Sequence, residues 1–115
     1  HADKKLSELE TATSLIIQAK AQLRILLQTG NPSREALAEK LGISSRHLGR
    51  QLQSEGSSYR EIFDELRLEI ADKQLRESNK TLDEISRLLS FRDGQSFIRW
   101  FRQATGRTPG DYRSV

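Results

Sequence analysis

SREALAEKLGISSRHLGRQLQSEG, residues 33–56, and TLDEISRLLSFRDGQSFIRWFRQATG, residues 81–106, repeat one pattern, and that repeat decides the fold. At an offset of 48, Leu37 aligns with Ile85, Leu41 with Leu89 and Ile43 with Phe91. One extra residue in the second turn then moves the offset to 49, pairing Leu48 with Phe97, Arg50 with Arg99 and Leu52 with Phe101. In each copy apolar residues recur at helical spacing, break at a turn, and resume on a second helix that carries an exposed Arg. Each copy therefore predicts a helix-turn-helix. Two in series point to a protein that grips two stretches of one duplex.

Outward from the repeat, the chain is helical throughout. The first helix is predicted from about Leu6 to Gln28, with an apolar stripe at Leu6, Leu9, Leu15, Ile16, Ala19, Leu23, Leu26 and Leu27. Gly30 and Pro32 stop it. Ser33 caps a short helix over 34–41, Gly42 supplies the turn, and Ser44 or Ser45 caps a helix running to about Glu55. The Ser58-Tyr59-Arg60-Glu61 capping box opens a long helix to about Ser78 that buries Ile62, Phe63, Leu66, Ile70, Ala71 and Leu75. At ~1.5 Å per residue it spans about 30 Å. A second box, Thr81 with Glu84, opens the next helix; Asp93 caps the one after; Gly106 ends it; and Pro109 begins a last short one. The expected fold is all-α, two helix-turn-helix subdomains joined by a long linker helix, with about seven helices. Residues 1–14 are a connector or an extension of the first helix, 15–56 the first subdomain, 57–78 the linker and 79–115 the second subdomain.

Composition bounds the function. A chain of 115 residues makes one small domain or two very small ones, and folding buries roughly two thirds of the extended chain's surface. Hydrophobic residues are 35% and charged residues 30%, with a single valine, which favours helix over strand. No stretch approaches the ~20 apolar residues of a membrane span. Zero cysteines removes disulfides, thiol catalysis and Cys-ligated zinc. No phosphate-binding glycine loop or catalytic arrangement is visible, and His47 has only His1 as a fellow histidine, so neither a metal nor a cofactor is expected. The absence of methionine and the His1-Ala2-Asp3 start lead us to expect an excised domain or a processed form. Net charge is a modest +3, yet from Phe91 onward five arginines face two aspartates, while acids gather between Glu55 and Glu84. Local basic surface is what phosphate binding needs.

In a helix-turn-helix the second helix lies in the major groove and its outward residues meet base edges. With Leu48 and Leu52 turned inward, Ser45, Arg46, Gly49 and Arg50 are the base-reading candidates of the first copy. With Phe97 and Phe101 inward, Gly94, Gln95, Ile98 and Arg99 are those of the second. Arg pairs with guanine, Gln with adenine, Ile98 suits a thymine methyl, and Gly49 permits close approach. Ser44, His47, Gln53, Arg92, Ser96 and Arg102 flank these stripes as phosphate candidates. Trp100 and Tyr59 are expected to pack rather than to stack on bases.

These residues resemble the DNA-binding domain of AraC-type bacterial transcription regulators, from about Leu15 to Arg113. The resemblance is carried by 37–44, by Leu48-Gly49-Arg50-Gln51-Leu52, by 55–59, by Arg67-Leu68 and Ala71, and most specifically by 91–102 followed by Gly106-Arg107-Thr108-Pro109 and Tyr112-Arg113. It departs where Ser90 replaces the usual turn glycine and where Ile98 and Trp100 replace small residues. The resemblance implies a sequence-specific activator-type regulator of the bacterial cytoplasm and nucleoid. Its partners would be double-stranded DNA and RNA polymerase, with no membrane, and an effector or dimerisation domain would lie outside this chain. Two other readings stay open: a helical protein–protein adaptor, or the DNA-binding module of a repair protein whose catalytic part is absent.

Overall fold

The computed structural model describes residues 2–114, with side chains from Leu15 onward. Seven helices follow one another among the described residues, with no strand. They are α1 (Ala2–Thr29), α2 (Arg34–Lys40), α3 (Ser45–Ser54), α4 (Tyr59–Glu77), α5 (Leu82–Leu88), α6 (Gly94–Thr105) and α7 (Pro109–Arg113). The chain divides into two compact units, 1–64 and 65–115, and the division falls inside α4.

The first unit packs α1 on α2 and α2 on α3. Ala19, Leu23, Leu26 and Leu27 of α1, Leu37 and Ala38 of α2, Leu48 and Leu52 of α3 and Ile62 and Phe63 of α4 are buried. Leu15 and Ile16 are half-buried, and the side chains of Leu6 and Leu9 lie outside the described residues. Ser33 caps α2 by accepting from the Ala36 N–H at 3.0 Å. Ser58 accepts from the Glu61 N–H at 3.1 Å, the forward half of the box expected there, while the Tyr59 hydroxyl donates to the Pro32 carbonyl.

The second unit packs α5 on α6 and α6 on α7. Its core is Leu66, Ala71, Leu75, Ile85, Leu89, Phe97, Phe101 and Pro109. Ile70 was expected among these and is only half-buried: its position lies at the border of the α4 stripe. Leu88 lies on the solvent side of α5. Thr81 and Glu84 form the reciprocal capping box at 3.1 Å in both directions. Three arginine and tyrosine side chains tie the rest of the unit to α4. Arg67 donates to the Leu89 carbonyl at 3.1 Å and lies 4.1 Å over the Phe91 ring. Tyr112 donates to the Asp72 carboxylate. Arg113 reaches the carbonyls of Gln74 and Leu75 in the last turn of α4 and those of Ser78 and Lys80 just beyond it, at 2.6–3.3 Å.

The two turns are closed by the same pair of backbone bonds. Gly42 N–H donates to Glu39 and Ile43 N–H to Ala38, at 3.1 and 3.0 Å; 48 residues on, Ser90 donates to Arg87 and Phe91 to Ser86 at the same distances. Both turns need a left-handed residue. Gly42 supplies it at φ 73°, whereas Ser90 adopts φ 61° with a side chain attached. A side chain at a left-handed backbone position is strained.

Candidate nucleic-acid interface

Both second helices are held by a side-chain cap at equivalent positions. Ser44 accepts from the His47 N–H at 3.0 Å to start α3, and Asp93 accepts from the Ser96 N–H at 2.8 Å to start α6. The Asp93 carboxyl sits below the ordinary aspartate range, because the Ser96 N–H bonds its charged form and Arg92 and Arg99 stand nearby. A negative charge at a helix N-terminus is also favoured by the helix dipole. Leu48 and Leu52 fix the inward face of α3, Phe97 and Phe101 that of α6. Trp100 packs 5.2 Å from the Phe91 ring, and Phe91 lies 5.7 Å from Phe97, so these aromatics anchor α6 to its turn.

An open depression lies along each outward face. In the first unit one open depression is lined by Ser45, Arg46, Gly49, Arg50 and Gln53, together with Arg34, Glu35, Ser57, Ser58 and Tyr59. Arg46, Arg50 and Gln53 are exposed; Ser45 and Gly49 are half-buried. Arg34 donates to the Ser45 hydroxyl at 3.1 Å, which fixes the first outward side chain of α3. Ser44 and His47 are exposed beside the depression and do not line it. A Cβ placed on Gly49 would meet nothing within 4 Å, so the glycine leaves open space in the middle of the stripe.

In the second unit a like depression is lined by Gln95, Ile98, Arg99, Arg102 and Gln103. Gln95, Arg99 and Arg102 are exposed and Ile98 is half-buried. Gly94 lies outside it, half-buried, where a Cβ would run into the Asp83 carboxylate. Its lack of a side chain leaves clearance between α5 and α6. Arg92 is exposed and Ser96 half-buried on the turn side. Among the described residues no group of three or more His, Cys, Asp or Glu gathers as metal ligands would.

Arg34 and Gln103 were not foreseen. Gln103 had a signal, lying four residues beyond Arg99 on the same helix face. Arg34 had none: it reaches Ser45 across 11 positions, and only the fold of the turn brings α2's start to α3's start.

Two short helix pairs, each presenting exposed arginines on its second member, define a tandem helix-turn-helix protein. A family profile described as a helix-turn-helix domain matches residues 37–114. The chain belongs to the AraC-type helix-turn-helix family of bacterial transcription regulators. It is 39% identical over 84 residues to the ornithine utilization regulator of Pseudomonas aeruginosa, covering 73% of this chain and 25% of that protein. The transcriptional regulator CdpR of Pseudomonas aeruginosa has a similar structure, with TM-score 0.69 and 36% identity over 73% of this chain and 27% of its own. The DNA-binding domain of AdpA, solved in complex with a target DNA, is similar at TM-score 0.71 and 25% identity, over 86% of this chain and 89% of its own. The chain spans about a quarter of the length of the ornithine utilization regulator and of most other regulators whose sequences it matches.

Proposed function

We propose that this chain is the sequence-reading part of a bacterial transcription regulator, and that α3 and α6 enter successive major grooves of one duplex. The observation that carries this is the equivalence of the two outward stripes. Positions 45, 46, 49, 50 and 53 of α3 correspond to 94, 95, 98, 99 and 102 of α6 at a constant offset of 49, with Arg50 matching Arg99. An exposed arginine recurring on the groove-facing side of two copies fits bidentate recognition of guanine. Ser44, His47, Gln53, Arg92, Ser96 and Arg102 are assigned to phosphates along the groove edges. The connecting α4, 19 residues and about 28 Å by its rise, is close to the ~34–36 Å between successive grooves.

The role is binding rather than catalysis, as the names of the related regulators support. RNA polymerase is the partner we assign to the intact protein, with any effector-binding or dimerisation unit carried outside this segment. Among the described residues no helix is long and apolar enough to cross a membrane; we place the protein in the cytoplasm, at the nucleoid.

Selection of duplexes from a random pool, followed by titration with Arg50→Ala and Arg99→Ala, tests the reading. Each substitution is expected to cost ~1–3 kcal/mol on the selected site and far less on random DNA. Equal losses on both would reassign these arginines to phosphates. A protein–protein adaptor built on the same helices would show no steep loss of duplex affinity with salt.

A further inference from the structure

The two stripes are equivalent in position and unlike in chemistry. In α3 the central position is Gly49, flanked by Arg46 and Arg50. In α6 the same position is Ile98, with Gln95 one turn before it and Arg102 one turn after. Ile98 is half-buried, on the flank of the α6 face that Phe97 and Phe101 bury, and lines the depression with those polar groups. It is the single aliphatic side chain lining either depression. A β-branched apolar group there cannot accept or donate to a base edge. What it can do is exclude water against the one apolar feature of the major groove, the thymine 5-methyl. Gly49 has nothing to offer that methyl, and two arginines around it match paired guanines.

We infer that Ile98 makes the second recognition helix a thymine-methyl reader, so that the Gly49/Ile98 difference distinguishes the two boxes. This rests on the duplex-binding reading above. A box read through Gln95, Ile98 and Arg99 contains adenine, thymine and guanine edges, whereas a box read through Arg46 and Arg50 contains guanines.

Deoxyuridine differs from thymidine by that methyl alone, so the test can be made on the DNA without altering the protein. Duplexes are selected with the unaltered chain, and each thymidine is then replaced singly by deoxyuridine. The expected result is that replacement in one box only weakens binding, by about fourfold for one buried methyl. Ile98→Ala should bind the thymidine and deoxyuridine duplexes equally, while Ile98→Val, which keeps a branched aliphatic surface, retains part of the difference. Deoxyuridine tolerated everywhere by the unaltered chain, sensitivity in both boxes, or an undiminished preference in Ile98→Ala would each overturn the inference while leaving duplex binding intact. Failure of the unaltered chain to prefer any duplex would instead overturn the reading beneath it.

Discussion

At the scale of single residues, the second copy of the repeat tolerates two side chains that the first avoids. Ser86 occupies the place of Ala38, is fully buried, and its hydroxyl has no hydrogen-bond partner among the described residues. Ser90 occupies the place of Gly42 at a left-handed backbone position. A buried unpartnered hydroxyl and a left-handed side-chain-bearing residue are both unfavourable. Ser86→Ala is therefore expected to raise stability by ~1 kcal/mol and Ser90→Gly by ~0.5–1 kcal/mol. Thermal melting checks both, and an unchanged or lowered midpoint would show that each residue has a compensating role. Ser90 was legible as a departure because the turn glycine is missing from its expected place. Ser86 was not, since a serine inside a short helix carries no sign of burial until α5 packs on α6.

At the scale of elements, the caps were the most legible feature, because Ser, Thr and Asp before an apolar run bond the orphan N–H groups at a helix start. Ser33, Thr81 and Asp93 cap where the sequence suggests, Ser44 rather than Ser45 caps α3, and Thr108 caps the helix that Pro109 begins. The tertiary clasps on α4 were not legible, since nothing in spacing links Arg67 to Phe91 or Tyr112 to Asp72. The caps also differ in chemistry between the units. The helix pair of the first is capped by serines, which do not titrate, whereas the second relies on Asp93 and on Glu84, lowered by the Thr81 N–H, and on Asp72, lowered by the Tyr112 hydroxyl. Each of these carboxyls has a folded value below its unfolded one, so its contribution is present above about pH 4 and is lost as pH falls through the folded value. On acidification the second unit should loosen before the first. Residue-resolved amide NMR between neutral pH and pH 2 would show it, with Asp93→Asn flattening the acid response of α6. Simultaneous loss of both units would rule out control by the caps.

At the scale of the whole chain, the two-groove proposal carries a phase requirement. Inserting roughly 5 bp between the boxes turns one of them to the far side of the duplex, half of the ~10–10.5 bp repeat. Affinity is expected to fall to that of one box; unchanged affinity would mean that one helix alone reads the site. The sequence disclosed the two copies and their register through the offsets of 48 and 49, but not that the long helix would be claimed so firmly by the second. That claim is staked by Arg113, which closes onto carbonyls 33–39 positions earlier in the chain. A connection of that span forms after the local turns and caps, because the intervening loop must first be closed. Its loss should therefore be felt in how fast the unit comes apart rather than in how fast it assembles. In stopped-flow denaturant jumps, Arg113→Ala is expected to steepen the rate of unfolding and leave refolding unaltered. Slowed refolding would place the closure in the folding nucleus instead, and the last turn of the fold would then be among the first to form.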